Sequence, residues 1–144
     1  MGKFIEITCK CGEVHHYFTG MGFFGPTEED AYKEIYNNPQ YELLRQYVSS
    51  PKDISDDYRN FKSPKFNLFF CNKCNYLYSL LDFHLKDSTI QVIHKCEHCN
   101  TELENLGQSY EKVFKKEIKI SCPECKAQDI LNDDSSNLNF GWAD

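Results

Sequence analysis

The chain has 144 residues, 40% of them hydrophobic and 15% aromatic, with a formal net charge of −6, enough for one modest core or two very small ones. No uninterrupted apolar run approaches the roughly 20 residues of a membrane span, and Met1-Gly2-Lys3 leads into an alternating pattern with no apolar segment of a secretory signal. A soluble, cytoplasmic protein is expected, without a membrane partner.

In chain order, Phe4-Ile5-Glu6-Ile7-Thr8 alternates like a half-buried strand and runs into Cys9-Lys10-Cys11-Gly12. Met1-Gly2 also begins like a myristoylation signal, but Glu6 stands where that motif needs Ser or Thr. Gly20-Met21-Gly22-Phe23-Phe24-Gly25 is a literal G-x-G-x-x-G. A dinucleotide site is disfavoured because Pro26 fills the turn and the next helix opens with Glu28, Glu29 and Asp30, which would repel a pyrophosphate. Phe23-Phe24 then reads as core or as an exposed, partner-binding tip.

Thr27 is placed to cap that helix, with Tyr32, Ile35 and Tyr36 on one face. Asn37-Asn38-Pro39 breaks it and starts a second helix, with Tyr41, Leu44, Tyr47 and Val48 facing inward, ended by Ser49-Ser50-Pro51. Residues 26–50 are therefore a helical insertion, and the polar residues 51–65 a loop. Three further strand-like runs, Phe66–Phe70, Ile90–Ile93 and Ile118–Ile120, lead into Cys71-Asn72-Lys73-Cys74, Cys96-Glu97-His98-Cys99 and Cys122-Pro123-Glu124-Cys125. In the tail, 132–144, the alternation of Leu138, Phe140 and Trp142 suits a last strand that anchors the end.

Strand, thiol pair and returning strand is the plan of a zinc knuckle on a β-hairpin. The residue after each knuckle tends to left-handed dihedrals; Gly12, Asn75 and Asn100 suit that place, and Lys126 does not. Eight cysteines in four close pairs, in a reducing cytosol, point to two closed four-thiolate sites and not to disulfides. The expected ligands are Cys9, Cys11, Cys71, Cys74, Cys96, Cys99, Cys122 and Cys125, holding two structural Zn²⁺. Eight thiolates subtract eight charges and two Zn²⁺ restore four, which takes the formal −6 to −10. Nucleic-acid binding is thus disfavoured, although Lys112, Lys115, Lys116 and Lys119 leave a local basic strip interrupted by Glu111 and Glu117.

The 21 residues between the second and third pairs sit just past the usual ribbon spacing, which leaves the first pair for the fourth. This nested pairing is preferred over a sequential one, first with second and third with fourth. In an extended strand the Cys9 and Cys11 sulfurs would share a face about 6–7 Å apart, so one metal requires a turn at Lys10 and Gly12. His15, His16, His94 and His98 lie near the pairs, but eight thiols already complete two sites. A closed four-thiolate site orders the chain and performs no reaction. No nucleophile triad and no H-E-x-x-H appear, and Cys122-Pro123-Glu124-Cys125 lacks the H-x-E partner of a deaminase. Iron in a rubredoxin-like electron-transfer protein uses the same donor set and stays open.

The Cys11-Gly12 knuckle, Gly20-Met21-Gly22, the helical spacer, the three C-x-x-C pairs and Trp142-Ala143-Asp144 together resemble a group of small bacterial zinc-ribbon proteins with no assigned activity. The likeness spans most of the chain, and Lys126 departs from the glycine such proteins favour after the last pair. It implies zinc at the eight cysteines and no activity. The expectation is a single α+β domain: a double zinc-ribbon core (1–20 and 66–131) of knuckle-bearing hairpins, the helical insertion 26–50, the polar loop 51–65 and the tail 132–144. Its expected role is that of a non-catalytic protein-interaction or regulatory module; a nucleic-acid-associated zinc ribbon is the alternative.

Overall fold

The computed structural model describes residues 2–20, 27–51, 61–85, 93–132 and 137–143. Expectations for Phe23-Phe24, for most of Gly20–Gly25 and for residues 90–92 fall outside them. The described part is α+β, with two three-stranded antiparallel sheets and short helices. In the first sheet, strand β1 (Gly2–Thr8) lies between β2 (Val14–Thr19) and β6 (Asn137–Ala143). The tail adds the expected strand, in a register that places Leu138 opposite Ile7 and Phe140 opposite Ile5. In the second sheet, β3 (Phe61–Phe70) lies between β4 (Leu77–Leu85) and β5 (Glu104–Gly107). Gly20 and Phe66 exchange backbone hydrogen bonds of 2.7 and 3.0 Å and so join the end of β2 to β3.

β3 is the hub, because its apolar run is buried on both faces. Leu68 and Phe70 pack with Ile5, Ile7 and Tyr17 of the first sheet, and with Val113, Ile120 and Ile130. Phe66 and Leu81 receive the helical insertion through Ala31, Ile35, Tyr41, Leu44 and Val48. Phe69, on the other face, packs with Leu80, Leu103 and two cysteines. The buried Asn67 donates to Asp82 Oδ2 at 2.8 Å, which supplies a partner for its amide there.

Helix α1 (Glu28–Asn37) starts where expected. Thr27 caps it, and the Asp30 carboxylate returns to the Thr27 N–H in a capping box. The second helix forms as a 3₁₀ segment, Pro39–Tyr47, interrupted at Tyr41 (φ −102°, ψ 16°). Arg45 donates to the carbonyls of Ile35 and Tyr36, tying this tighter turn back to α1.

Three expectations about strands are corrected. β3 begins at Phe61, inside the stretch read as a polar loop, and its register shifts between Lys62 and Lys65. Pro64 sits at that irregularity, where a residue without an N–H is tolerated. Ile118–Ile120 is not a strand: its neighbours offer single bonds, Ile130 N–H to Ile120 O and Ser121 N–H to Asn75 O, and no ladder. Ile93 is exposed and outside any strand, and one Lys95–Glu102 bridge alone brackets the third knuckle. A short helix α2 (Glu111–Phe114) and a 3₁₀ turn (Ile130–Asn132) complete the described elements. No described helix is long and apolar enough to cross a membrane.

Candidate metal centres

The eight cysteines gather into two tetrads, Cys9/Cys11/Cys122/Cys125 and Cys71/Cys74/Cys96/Cys99, each with all sulfurs within 4.8 Å of one another. This is the nested pairing. We call the first tetrad the outer site and the second the inner site. All eight thiols are free of disulfides.

Local backbone geometry explains why each pair converges. In every C-x-x-C pair the first cysteine's N–H donates to the carbonyl five residues on, and its carbonyl accepts from the N–H four residues on. These bonds link Cys71 with Tyr76 and Asn75, Cys96 with Thr101 and Asn100, and Cys122 with Ala127 and Lys126, at 2.8–3.0 Å. Cys9-Lys10-Cys11 repeats the plan one residue shorter, bonding to Glu13 O and from the Gly12 N–H, both at 2.9 Å. The closing residue takes positive φ in all four: Gly12 +93°, Asn75 +60°, Asn100 +59° and Lys126 +64°. Lys126 thus adopts the knuckle conformation despite its side chain, correcting the expectation that it would be the exception. Its ammonium donates to Tyr76 Oη at 3.4 Å and lies 5.8 Å from that ring's centroid.

The sulfur spacing suits a tetrahedral ion. Four sulfurs about 2.3 Å from a central zinc stand about 3.8 Å apart. The structure has Cys9–Cys125 at 3.5 Å, Cys11–Cys122 at 3.9 Å and Cys71–Cys99 at 3.5 Å. Cys9, Cys71, Cys96 and Cys122 are buried, whereas Cys11, Cys99 and Cys125 are exposed. Each centre is therefore anchored in a core on one side and reached from solvent on the other.

Without a cation the thiols differ in acidity. Burial pushes Cys9 and Cys74 up to about 12. Hydrogen bonding with the Thr101 side chain, and then with its backbone, brings Cys99 down to about 6. The Ala127 backbone brings Cys125 down to about 7. Each tetrad thus combines a surface thiol whose acidity hydrogen bonds increase with a thiol whose acidity burial reduces.

Sequence reasoning did not identify the groups that support the sulfurs. Tyr78 Oη lies 3.3 Å from Cys96 Sγ, Thr101 Oγ1 3.1 Å from Cys99 Sγ, and His15 Nε2 3.3 Å from Cys122 Sγ. The Cys74 N–H donates to Cys71 Sγ at 3.3 Å. Such contacts orient the ligands. Thr101, two residues past its pair, was the one with a positional signal.

The other histidines also have packing roles. His94 is buried against the Phe69 and Tyr41 rings and donates from Nε2 to Leu81 O at 2.9 Å. His98 packs on Tyr76, and His16 lies 3.5 Å from Glu6. The basic strip is partly neutralised, with Lys112 3.8 Å from Glu104 and Lys115 2.6 Å from Glu111.

The two centres share a frame: the Ser121 N–H, beside the outer Cys122, donates to Asn75 O, beside the inner Cys74, at 2.8 Å. Compared with family models, curated proteins and solved structures, the chain gives no match. What the structure supports directly is two four-cysteine groups that could hold two metal ions.

Proposed function

We propose that the chain is a non-catalytic zinc-binding protein, a cytoplasmic protein-interaction or regulatory module built on two structural Zn²⁺ sites. One observation carries the reading: two closed tetrads of sulfur alone, spaced as a tetrahedral ion requires, each spanning two knuckles. Four thiolates saturate the ion, which leaves no position for a substrate or a reactive water. The two metals would then fix the relative placement of hairpins whose sheets are small. Kinship with the small bacterial zinc-ribbon proteins belongs to the same proposal.

Elemental analysis of protein purified without added metal tests it. The expected result is about two zinc per chain. Dominant iron with visible thiolate-to-iron absorption, or one metal per chain, overturns the two-zinc assignment. Retention of a partner by metal-loaded protein and its loss after chelation tests the interaction role.

A further inference from the structure

Between the two centres runs an open groove of about 400 Å³, lined in part by Val14 and His16 on one side and by Tyr76, Leu77, Glu97 and His98 on the other. Its walls are the outer strands of the two sheets, since β2 and β4 are both edge strands.

Antiparallel pairing settles which way their peptide groups point, because residues alternate between bonding inward and facing outward. The Cys9 N–H to Glu13 O bond closes the first hairpin, so His15, Tyr17 and Thr19 bond to β1, and Val14, His16 and Phe18 face away. The Cys71 N–H to Tyr76 O bond likewise turns Leu77, Ser79 and Leu81 outward from β3.

Beyond the groove these outward groups are capped by side chains. The Phe18 N–H donates to Ser79 Oγ at 2.7 Å, the Leu81 N–H to Tyr41 Oη at 3.0 Å, and Leu81 O accepts from His94. Within the groove, the peptide groups of Val14, His16 and Leu77 have no such partner among the described residues. The edge is thus closed at the end away from the knuckles and open where the groove lies. An open edge is a template for another strand, and Val14 and His16 offer it four main-chain hydrogen bonds.

The lining selects a sign of charge. It contains Glu97 and neither Lys nor Arg, in a chain of formal charge −6 before any metal thiolate is counted. The Tyr76 ring is already contacted by the Lys126 ammonium, 5.8 Å from its centroid, and by His98, which leaves Glu97 as the charged group that faces a ligand. Val14, 41% exposed on the edge itself, adds an apolar contact.

We infer that this groove binds an extended, basic peptide segment of a partner protein, added as a strand to the free edge of β2 between the two metal centres. The inference rests on the interaction-module reading and names its partner class. Backbone pairing supplies the register, and a Lys or Arg side chain reaches Glu97.

The test uses the full, metal-loaded chain and three synthetic peptides that alternate lysine with valine, tyrosine or leucine. Titration followed by NMR should show at least one of them binding, with the largest shifts at residues 14–16 and 76–77. Replacing its lysines with glutamate should weaken it about tenfold or more. N-methylation of alternate peptide nitrogens, which removes the pairing donors, should cost a similar factor. Glu97→Lys and Val14→Lys should each weaken it while the chain keeps its two metals, which separates lost binding from lost folding.

Failure of all three peptides overturns the inference, as does equal binding of the glutamate or N-methylated versions. Competition by single-stranded oligothymidylate at the same residues would assign the groove to nucleic acid and also overturn it. If metal-loaded protein retains a partner that Glu97→Lys and Val14→Lys leave untouched, the groove assignment fails and the interaction role stands. If no partner is retained in any form, the interaction role fails with it.

Discussion

The outer and inner cysteine tetrads offer the same donor atoms on closely similar knuckle turns, yet they tie together different parts of the fold. The inner site joins Cys71 to Cys99, 28 residues apart, and holds together one local unit around Phe69, Leu80 and Leu103. The outer site joins Cys9 to Cys125, 116 residues apart, and its buried sulfurs sit in the core formed by β1, β2 and Ile120–Leu131. Closing the longer loop removes more freedom from the unfolded chain: about two doublings of length, or about 1.2 kcal/mol. The inner site is therefore the one that local folding assembles. The outer site works alongside the β1–β6 ladder in tying the first knuckle to the last.

The strongest way to break this comparison is to remove both ions. Structural zinc contributes roughly 10–16 kcal/mol per site, as much as the whole stability of a typical domain, about 5–15 kcal/mol. Chelation should abolish the dispersed NMR spectrum, and two equivalents of Zn²⁺ should restore it. A dispersed spectrum in excess chelator would show that the cores hold without metal and that neither site is structural.

Single-ligand variants sharpen the asymmetry. Cys9→Ser should free one ion and raise hydrogen exchange across β1, β2 and residues 118–130, while the inner unit, 93–103 with the start of β4, stays protected. Cys71→Ser should expose that inner unit first. Equal loss of protection in both variants would mean that the Ser121–Asn75 bond and the shared Phe70–Leu77 contacts make the two sites one cooperative unit.

Knuckle backbones come next in size. A Cβ at Gly12 meets nothing within 4 Å, so Gly12→Ala tests conformation alone; at φ +93° it should cost about 1–2 kcal/mol in denaturant unfolding of the metal-loaded protein. Lys126→Gly has the opposite backbone term but loses the ring contact with Tyr76, worth about 0.5–1 kcal/mol. Its net effect should be small, and it should become stabilising in a Tyr76→Leu background. A large cost there would mean that Lys126 is held by something other than Tyr76.

What was legible in the sequence follows from how locally each feature is determined. Four close thiol pairs define four knuckles, and the spacing alone favoured joining the second to the third. The helix cap was readable at Thr27 because its donor and acceptor lie three residues apart. Lys126 misled because the knuckle turn takes the same positive φ whatever the side chain that closes it. Ile118–Ile120 has the alternation of a strand, but a strand also needs a partner, and only single bonds reach it. The start of β3 was hidden by Ser63-Pro64, which reads as a loop and is instead a register shift within the strand. His15 and Tyr78 reach their sulfurs across 107 and 18 residues, contacts that no local pattern encodes.

The smallest expected effect concerns acid release at the inner site alone. Hydrogen bonding with Thr101 is the main cause of the heightened Cys99 acidity, about 6 against an ordinary 9.0. A lowered value means that the thiolate persists as pH falls and is lost only on passing through about 6, so protons compete with the metal late in an acid titration. Thr101→Val keeps the shape of the side chain and removes its hydroxyl. The Cys99 thiolate should then take its proton at higher pH, and the inner ion should leave earlier on acidification, by a fraction of a pH unit because Cys99 is exposed and water replaces part of the lost contact. The outer ion has no contact with Thr101, and its release should not move. Following both ions with a chromogenic chelator, with the Cys9→Ser background isolating the inner one, separates the two curves. A shift of the outer ion as large as that of the inner would show that Thr101 acts on the stability of the whole fold and not on one thiolate.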